Sequence, residues 1–124
     1  MRGELPTSVG TQSEPYRRIV QLAETHAGRG QFDAAEELRR RAIVIEPDMP
    51  EAWAALARWR KMSAGDAGWL ASAQRIVGLP LAPRREVHLR YALGKYFDDV
   101  REYDEAFANY RRANELARVG RPPQ

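Results

Sequence analysis

One spacing pattern restricts the fold of this chain more than any other feature. Two apolar trios stand about 34 residues apart, at Ile19, Leu22 and Ala23 and at Trp53, Leu56 and Ala57. Each trio occupies positions i, i+3 and i+4, which lie on one face of an α-helix. A single helical hairpin cannot bury its apolar face, so hairpins that recur at a fixed period stack on one another. The pattern therefore predicts an all-α array of stacked helical hairpins.

Glycine and proline residues divide the chain into six predicted helices. The helices are expected at about 13–27, 31–45, 48 onwards, 64–77, 83–99 and 103–118. Pro15 and Pro50 fall in first turns, where proline is tolerated, and Pro47 blocks continuation of the second helix. We expect a flexible arm over residues 1–12, repeats at about 16–49, 50–83 and 87–119, and a tail at 120–124.

Composition restricts the class of protein and its compartment. The chain has 124 residues, of which 44% are hydrophobic and 30% charged, as in one globular domain. It has no Cys, no apolar run long enough to cross a bilayer, and a polar start that is unlike a signal peptide. We therefore expect a cytoplasmic protein without a membrane partner. The 20 Lys and Arg residues are nearly balanced by 17 Asp and Glu residues, which disfavours nucleic acid as a partner.

The small residues of the third hairpin resemble a tetratricopeptide repeat (TPR). The residues that match the motif in order and spacing are Leu93, Gly94, Phe97, Ala106, Tyr110 and Ala113. The first hairpin matches at Leu22, Ala23, Gly30, Ala35, Ala42 and Pro47. The middle hairpin departs, because Trp69 stands about where a small residue is expected and about three residues are added after it. The resemblance implies an antiparallel helix-hairpin solenoid, a TPR-like superhelix of three hairpins, that binds a protein or peptide in its concave groove.

A narrower resemblance covers about residues 53–117. The runs 58–63, 93–99 and 110–116 are similar to the repeat region that precedes the catalytic domain in bacterial TPR-sulfotransferase proteins. That resemblance implies an accessory region of a sulfotransferase. The phosphate-binding loop of such a domain has no counterpart in this sequence.

The resemblance also gives a set of groove residues. Carried onto this chain, the family's groove positions include Arg17, Glu24, Arg58, Lys61, His88, Tyr91 and Lys95. Cations outnumber acids among them, so we predict an acidic peptide as the ligand, with Arg58 and Lys95 pairing to carboxylates and Tyr91 forming an apolar wall. The chaperone-type carboxylate clamp is not expected, because Val20, Glu24 and Ala55 occupy three of its positions.

The sequence offers no constellation for catalysis, a cofactor or a metal. His26 and His88 lie in different repeats without the spacing of metal ligands. Asp98 and Asp99 are neighbours in sequence, so on a helix they point about 100° apart. We therefore expect a binding protein that is not an enzyme.

Two alternatives to peptide binding stay open. The first is self-association, possible as a homodimer, because three repeats are the minimum for such an array and the last helix is expected to expose an apolar face. The second is binding of RNA or another polyanion through the Arg doublets and triplet. Against it, Glu36 and Arg40 are spaced to pair on a helix surface.

Overall fold

The computed structural model describes residues 13–119, which form six α-helices and no strand. The helices are Glu14–Gly28 (α1), Phe32–Ile45 (α2), Pro50–Arg58 (α3), Ala67–Val77 (α4), Pro83–Asp99 (α5) and Tyr103–Val119 (α6), with a 3₁₀ turn at Ala64–Asp66 before α4. The all-α, TPR-like helical-hairpin fold predicted from the sequence is confirmed. The predicted arm (1–12) and tail (120–124) lie outside the described residues. Within 13–119, no helix is both long and apolar enough to span a bilayer.

Local chemistry explains where the helices begin and end. The Ser13 hydroxyl accepts a hydrogen bond from Tyr16 N–H at 3.3 Å, which caps α1. Gly30 has a φ of 77°, a left-handed conformation that glycine adopts without a steric penalty, and so closes the turn into α2. Ser63 and Asp66 form a capping box. The Ser63 hydroxyl accepts a hydrogen bond from the backbone N–H of Asp66, and the Asp66 carboxylate accepts one from the backbone N–H of Ser63.

The chain divides into two compact units at Met49 and Pro50. The first unit contains the α1–α2 hairpin, whose core joins Ala23, Ala35 and Leu38, with Ile19 packed against them. On α1 the residues of this core, Ile19, Ala23 and Ala27, follow one another at i, i+4 and i+8. The prediction that Leu22 shares this apolar face is wrong, because Leu22 is one position off that row and is 49% exposed.

The second unit contains α3 to α6. Its core includes Leu56, Ile76, Leu89, Leu93, Tyr96, Phe97, Ala113 and Leu116. The most extensive helix contact joins α5 to α6, and α3 packs chiefly on α5 and much less on α4. This arrangement brings α3 and α5 side by side, which is the geometry that forms the candidate site.

Trp69 anchors α4 within the second unit. Its indole Nε1–H donates to the carbonyl oxygen of Trp53 at 2.9 Å, and its ring stacks on Tyr96 with 5.6 Å between centroids. Trp69, Ala73 and Ile76 form the buried stripe of α4. A bulky ring at this position keeps α4 from approaching α3 as closely as a small residue would allow.

Candidate functional site

A cleft opens between α3 and α5 of the second unit. It has a volume of about 280 Å³ and is lined by Ala54, Ala57, Arg58, His88, Tyr91, Ala92 and Lys95. The three alanine methyl groups form the floor, because larger side chains would fill the space between the two helices. Polar and aromatic side chains surround this apolar floor. The cleft therefore combines an apolar surface with charge, as ligand sites commonly do.

The structure brings together four of the seven predicted groove residues. Arg58, His88, Tyr91 and Lys95 all line the α3–α5 cleft. Lys61 follows the end of α3 at Arg58 and lines a different cleft, which is described below. The remaining two predicted residues, Arg17 and Glu24, are exposed on α1 in the first unit, and neither lines either cleft.

Arg58 supplies the available positive charge of the α3–α5 cleft. Its guanidinium carbon lies 6.0 Å from the centre of the Trp59 ring, at the limit of a cation–π contact. It forms no ion pair with any residue from 13 to 119. An exposed guanidinium of this kind is suited to bidentate pairing with a carboxylate.

Lys95 is already engaged within the protein. Its Nζ donates to the carbonyl oxygen of Arg60 at 2.7 Å and to Asp99 Oδ2 at 2.5 Å. Asp99 Oδ2 also accepts from the backbone N–H of Met62 at 2.9 Å. Burial opposes ionisation of Asp99, but these two hydrogen bonds outweigh it and hold the pKa of Asp99 below its usual value. Lys95 therefore fixes the loop after α3 to α5 and presents little free charge to a ligand.

A second ion pair joins the beginnings of α3 and α5. Arg85 donates two hydrogen bonds to Glu51, Nη2 to Oε1 at 2.6 Å and Nε to Oε2 at 2.8 Å. Burial opposes ionisation of Glu51, yet the bonds from Arg85 prevail, so the pKa of Glu51 is lowered. The bidentate pair fixes the spacing of the two helices at one end of the cleft.

Tyr91 forms one wall of the cleft with its ring. Its hydroxyl donates to Asn114 Oδ1 at 2.6 Å, which ties α5 to α6. The Tyr91 ring lies 6.3 Å from that of Tyr110, centroid to centroid. Because the hydroxyl is engaged, the ring offers chiefly its apolar face to the cleft.

A second cleft lies where the loop after α3 meets the turn between α5 and α6. Its volume is about 420 Å³, and it is lined by Lys61, Met62, Ser63, Ala64, Asp99, Val100 and Arg101. Lys61 and Arg101 are both exposed, and neither forms an ion pair within the described part of the chain. Arg101 has a φ of 68°, which turns the chain sharply out of α5.

Sequence reasoning places Glu51 among the groove positions but misses the two contacts that join α3 and the loop after it to α5. Glu51 and Arg85 are 34 positions apart, and Arg60 and Lys95 are 35 apart. Contacts at one repeat period join equivalent places in neighbouring hairpins, so a search for opposite charges at that offset would have found the Glu51–Arg85 pair. Among residues 13–119, no three His, Asp or Glu side chains are grouped to hold a metal ion.

Comparison with known proteins gives one family match. Residues 17–59 match the family described as tetratricopeptide repeat, and this segment contains most of α1 and all of α2 and α3. Searches of curated proteins and of solved structures find no match to the chain. Residues 17–59 are thus similar to a tetratricopeptide repeat, and the described part of the chain has a TPR-like helical-hairpin fold.

Proposed function

We propose that this chain is a protein-interaction module that binds a peptide segment of a partner protein in the α3–α5 cleft. Helical repeat proteins of this type generally use their grooves to bind other proteins. The observation that carries the proposal is the shared lining of one cleft by Arg58, His88, Tyr91 and Lys95. The groove positions that the family resemblance implies include all four of these residues.

The lining favours an acidic segment as the ligand. Arg58 is the cation of the cleft that has no internal ion-pair partner among the described residues, and it is suited to pair with a carboxylate. The alanine floor and the Tyr91 ring accommodate a small apolar side chain beside that carboxylate. A segment with an acidic residue next to an aliphatic one therefore complements the cleft in both charge and shape.

A charge reversal at Arg58 tests the proposal. Arg58→Glu is a sharper variant than a change at Lys95, because Lys95 also holds the loop after α3. Fluorescence anisotropy with a library of acidic peptides should show at least about tenfold weaker binding, since a repulsive charge replaces an attractive one. Arg118→Glu, an equal charge change at the end of α6, is the matched control and should stay within about twofold. If Arg58→Glu and Arg118→Glu bind the peptides with equal affinity, the α3–α5 cleft is excluded as the binding site.

The narrower resemblance points to a sulfotransferase domain as the partner. It rests on the sequence runs alone, and no family, curated or structural match supports it. Size-exclusion chromatography of the chain mixed with a sulfotransferase domain of a TPR-sulfotransferase protein tests this partner. Co-elution that Arg58→Glu abolishes would support it, whereas separate elution at concentrations of about 100 μM would exclude all but weak association.

Self-association is the second candidate function, and the surface of α6 favours it. Tyr103 and Phe107 are one helical turn apart, and each is 61% exposed. Exposed aromatic rings on a helix often mark an interface. If copies associate through these rings, light scattering should give the mass of a dimer for the wild type and of a monomer for Tyr103→Ser with Phe107→Ser. A monomeric wild type at high concentration would contradict this candidate.

A further inference from the structure

The acids at the second cleft, between the loop after α3 and the α5–α6 turn, are already bonded within the protein. Asp99, the one acid of the lining, pairs with Lys95 at 2.5 Å. Asp66, which follows in the loop, pairs with Arg60 at 2.8 Å. Because a cation of the protein binds each of these carboxylates, neither is free to neutralise another one.

Lys61 and Arg101 are the cations of this cleft that remain. Both line it and are exposed, and neither forms an ion pair with any residue from 13 to 119. Lys61 is near enough to act electrostatically on Asp99 but does not pair with it. The exposed acids Asp98 and Glu102 line neither cleft. Two unpaired cations from different segments therefore line one cavity of about 420 Å³.

The backbone on both sides of Lys61 is fixed. The preceding carbonyl, of Arg60, accepts a hydrogen bond from Lys95 Nζ at 2.7 Å. The following residue, Met62, is 1% exposed, and its N–H donates to Asp99 Oδ2 at 2.9 Å. A ligand that binds Lys61 therefore does not have to order this loop first, which lowers the free-energy cost of binding.

Arg101 occupies a backbone position that favours glycine. Its φ is 68°, and the α1–α2 turn has Gly30 at the equivalent place with a φ of 77°. In both turns this residue's N–H donates to the carbonyl three positions back, and the next N–H donates to the carbonyl five positions back. Glycine adopts this left-handed conformation without a steric penalty, whereas arginine does not. Residues held in this way concentrate at functional sites, so the side chain of Arg101 is the part that calls for a role.

The charge of the cleft selects the class of ligand. A carboxylate would balance only one of the two cations. A phosphate group carries a charge of about −1.5 to −2 near pH 7 and has several strong acceptor oxygens. It can accept from the planar guanidinium of Arg101 and from the Lys61 ammonium at the same time.

We propose that the second cleft binds a phosphoryl group between Lys61 Nζ and the guanidinium of Arg101. The group is either inorganic phosphate or the phosphate monoester of a phosphorylated side chain. This site goes beyond the proposed function, because no residue of its lining also lines the α3–α5 cleft.

Titration of the whole chain with inorganic phosphate, followed by amide NMR, tests the site. Phosphate replaces chloride at constant ionic strength and about pH 7.5, where it is mostly a dianion. The amide signals of residues 60–64 and 99–102 should shift together and saturate, with a Kd on the order of 1 mM. Acetate, a single negative charge, should bind at least about fivefold more weakly, because it can balance only one cation.

A second titration distinguishes the two sources of the phosphoryl group. Its probe is a phosphoserine peptide whose other residues are uncharged. Tighter binding of this peptide than of inorganic phosphate would support the site and identify a phosphorylated side chain as its ligand. Equal or weaker binding of the peptide would support the site as one for free phosphate.

Two variants and a conservative rescue assign the site to its two side chains. Lys61→Ala and Arg101→Gly should each weaken phosphate binding about fivefold, the effect of losing one exposed charge pair. Glycine keeps the turn, because it accepts the φ of 68°, so Arg101→Gly should not lower the thermal midpoint. Arg101→Lys keeps the charge and should bind phosphate within about threefold of wild type. Arg118→Ala is the control for a lost surface charge and should leave the affinity unchanged.

Three results would each overturn the phosphoryl site. The first is a set of shifts spread over exposed Lys and Arg residues throughout the chain, which indicates general screening of charge. The second is equal affinity for acetate and phosphate. The third is wild-type affinity for phosphate in both Lys61→Ala and Arg101→Gly. The α3–α5 cleft is tested separately, with acidic peptides and Arg58→Glu, so failure of one site leaves the other standing.

Discussion

Gly94 lies directly beneath the ring of Tyr110 where α5 packs on α6. A Cβ atom built on Gly94 would stand 2.5 Å from Tyr110 Cε1 and 2.9 Å from Tyr110 Cζ, closer than atoms can pack. The Tyr110 ring cannot withdraw freely, because it also packs beside Tyr91. The glycine is therefore required by the approach of a neighbouring side chain, in a helix that would otherwise favour alanine.

Replacing this glycine gives the first prediction. Gly94→Ala should lower the free energy of unfolding by about 1–2 kcal/mol, because overpacking outweighs the gain in helix propensity. Gly68→Ala in α4 is the control, since its new Cβ meets nothing within 4 Å. That variant should be neutral or slightly more stable. Urea unfolding followed by circular dichroism measures both, and equal stability of the two variants would show that Tyr110 moves aside at no cost.

Asp66 gives a prediction for acid stability. Hydrogen bonds from Arg60, opposed by burial and helped by the Ser63 N–H, lower the pKa of Asp66 from 3.8 to about 2. The ionised carboxylate favours the folded state, so this stabilisation is complete above pH 4 and is lost as pH falls through about 2. Because Arg60 is partly exposed, solvent screening limits the effect to about 1 kcal/mol.

The measurement compares urea unfolding of wild type and Asp66→Asn at pH 5 and pH 2. Between pH 5 and pH 2, the free energy of unfolding should fall by about 1 kcal/mol more for wild type than for Asp66→Asn, since the variant has no carboxylate to protonate at this position. The comparison isolates Asp66 from Glu51 and Asp99, whose lowered pKa values act in the same direction in both proteins. An equal fall in the free energy of unfolding for both proteins would show that Asp66 contributes nothing to the loss of stability in acid.

At the scale of elements, the positions of the helices follow from the sequence. The predicted helix at 83–99 coincides with α5, and the predicted 103–118 is one residue shorter than α6. Pro83 at the start and the helix-ending turns explain this accuracy, because such residues act locally. The predicted helix at 64–77 begins instead with a 3₁₀ turn, since the Ser63–Asp66 capping box tightens its first residues.

The residues of the candidate site can be predicted from sequence only where a helix follows the repeat spacing without interruption. The family resemblance predicts Arg58, His88 and Tyr91 as groove residues, and all three line the α3–α5 cleft. Lys61 does not line the α3–α5 cleft, because α3 ends at Arg58 and the loop that follows does not continue the helical register. The engagement of Lys95 depends on Asp99 and a backbone carbonyl, a tertiary contact that no helical period encodes. Pairing of Glu36 with Arg40 at 2.7 Å, by contrast, is local and was predicted.

The attachment of α4 gives a prediction at this scale. Trp69→Phe removes the hydrogen bond to the Trp53 carbonyl and leaves space beside Tyr96. The free energy of unfolding should fall by about 2 kcal/mol. Amide exchange should accelerate in α4 more than in α6, because α4 has the fewer contacts. Trp59→Phe makes the same replacement at a ring that is 48% exposed, and it should change little. Faster exchange in α6 and α4 alike would contradict a local role for Trp69.

At the scale of the whole molecule, the second unit holds its own core and both clefts. A fragment of residues 50–124 should therefore remain helical and unfold cooperatively, although with a lower midpoint than the full chain, because small domains bury less surface. It should bind the acidic peptides that the full chain binds, with affinities within about threefold of the full-chain values. Circular dichroism and anisotropy test this. A fragment without helical signal would show that residues 50–124 cannot fold alone.

The shortness of α3 has a consequence for the order in which the molecule assembles. With 9 residues, α3 is below the length at which a helix persists alone in water, whereas α5 and α6 have 17 residues each and are joined by a tight turn. Local contacts form early in folding, so we expect the α5–α6 hairpin to appear first and α3 to acquire its structure by docking on α5. The α3–α5 cleft is then among the last features to form and the first to open. A ligand that contacts both α3 and α5 would stabilise the helical, docked state of α3. Its affinity would be reduced by the free energy needed to keep α3 in that state.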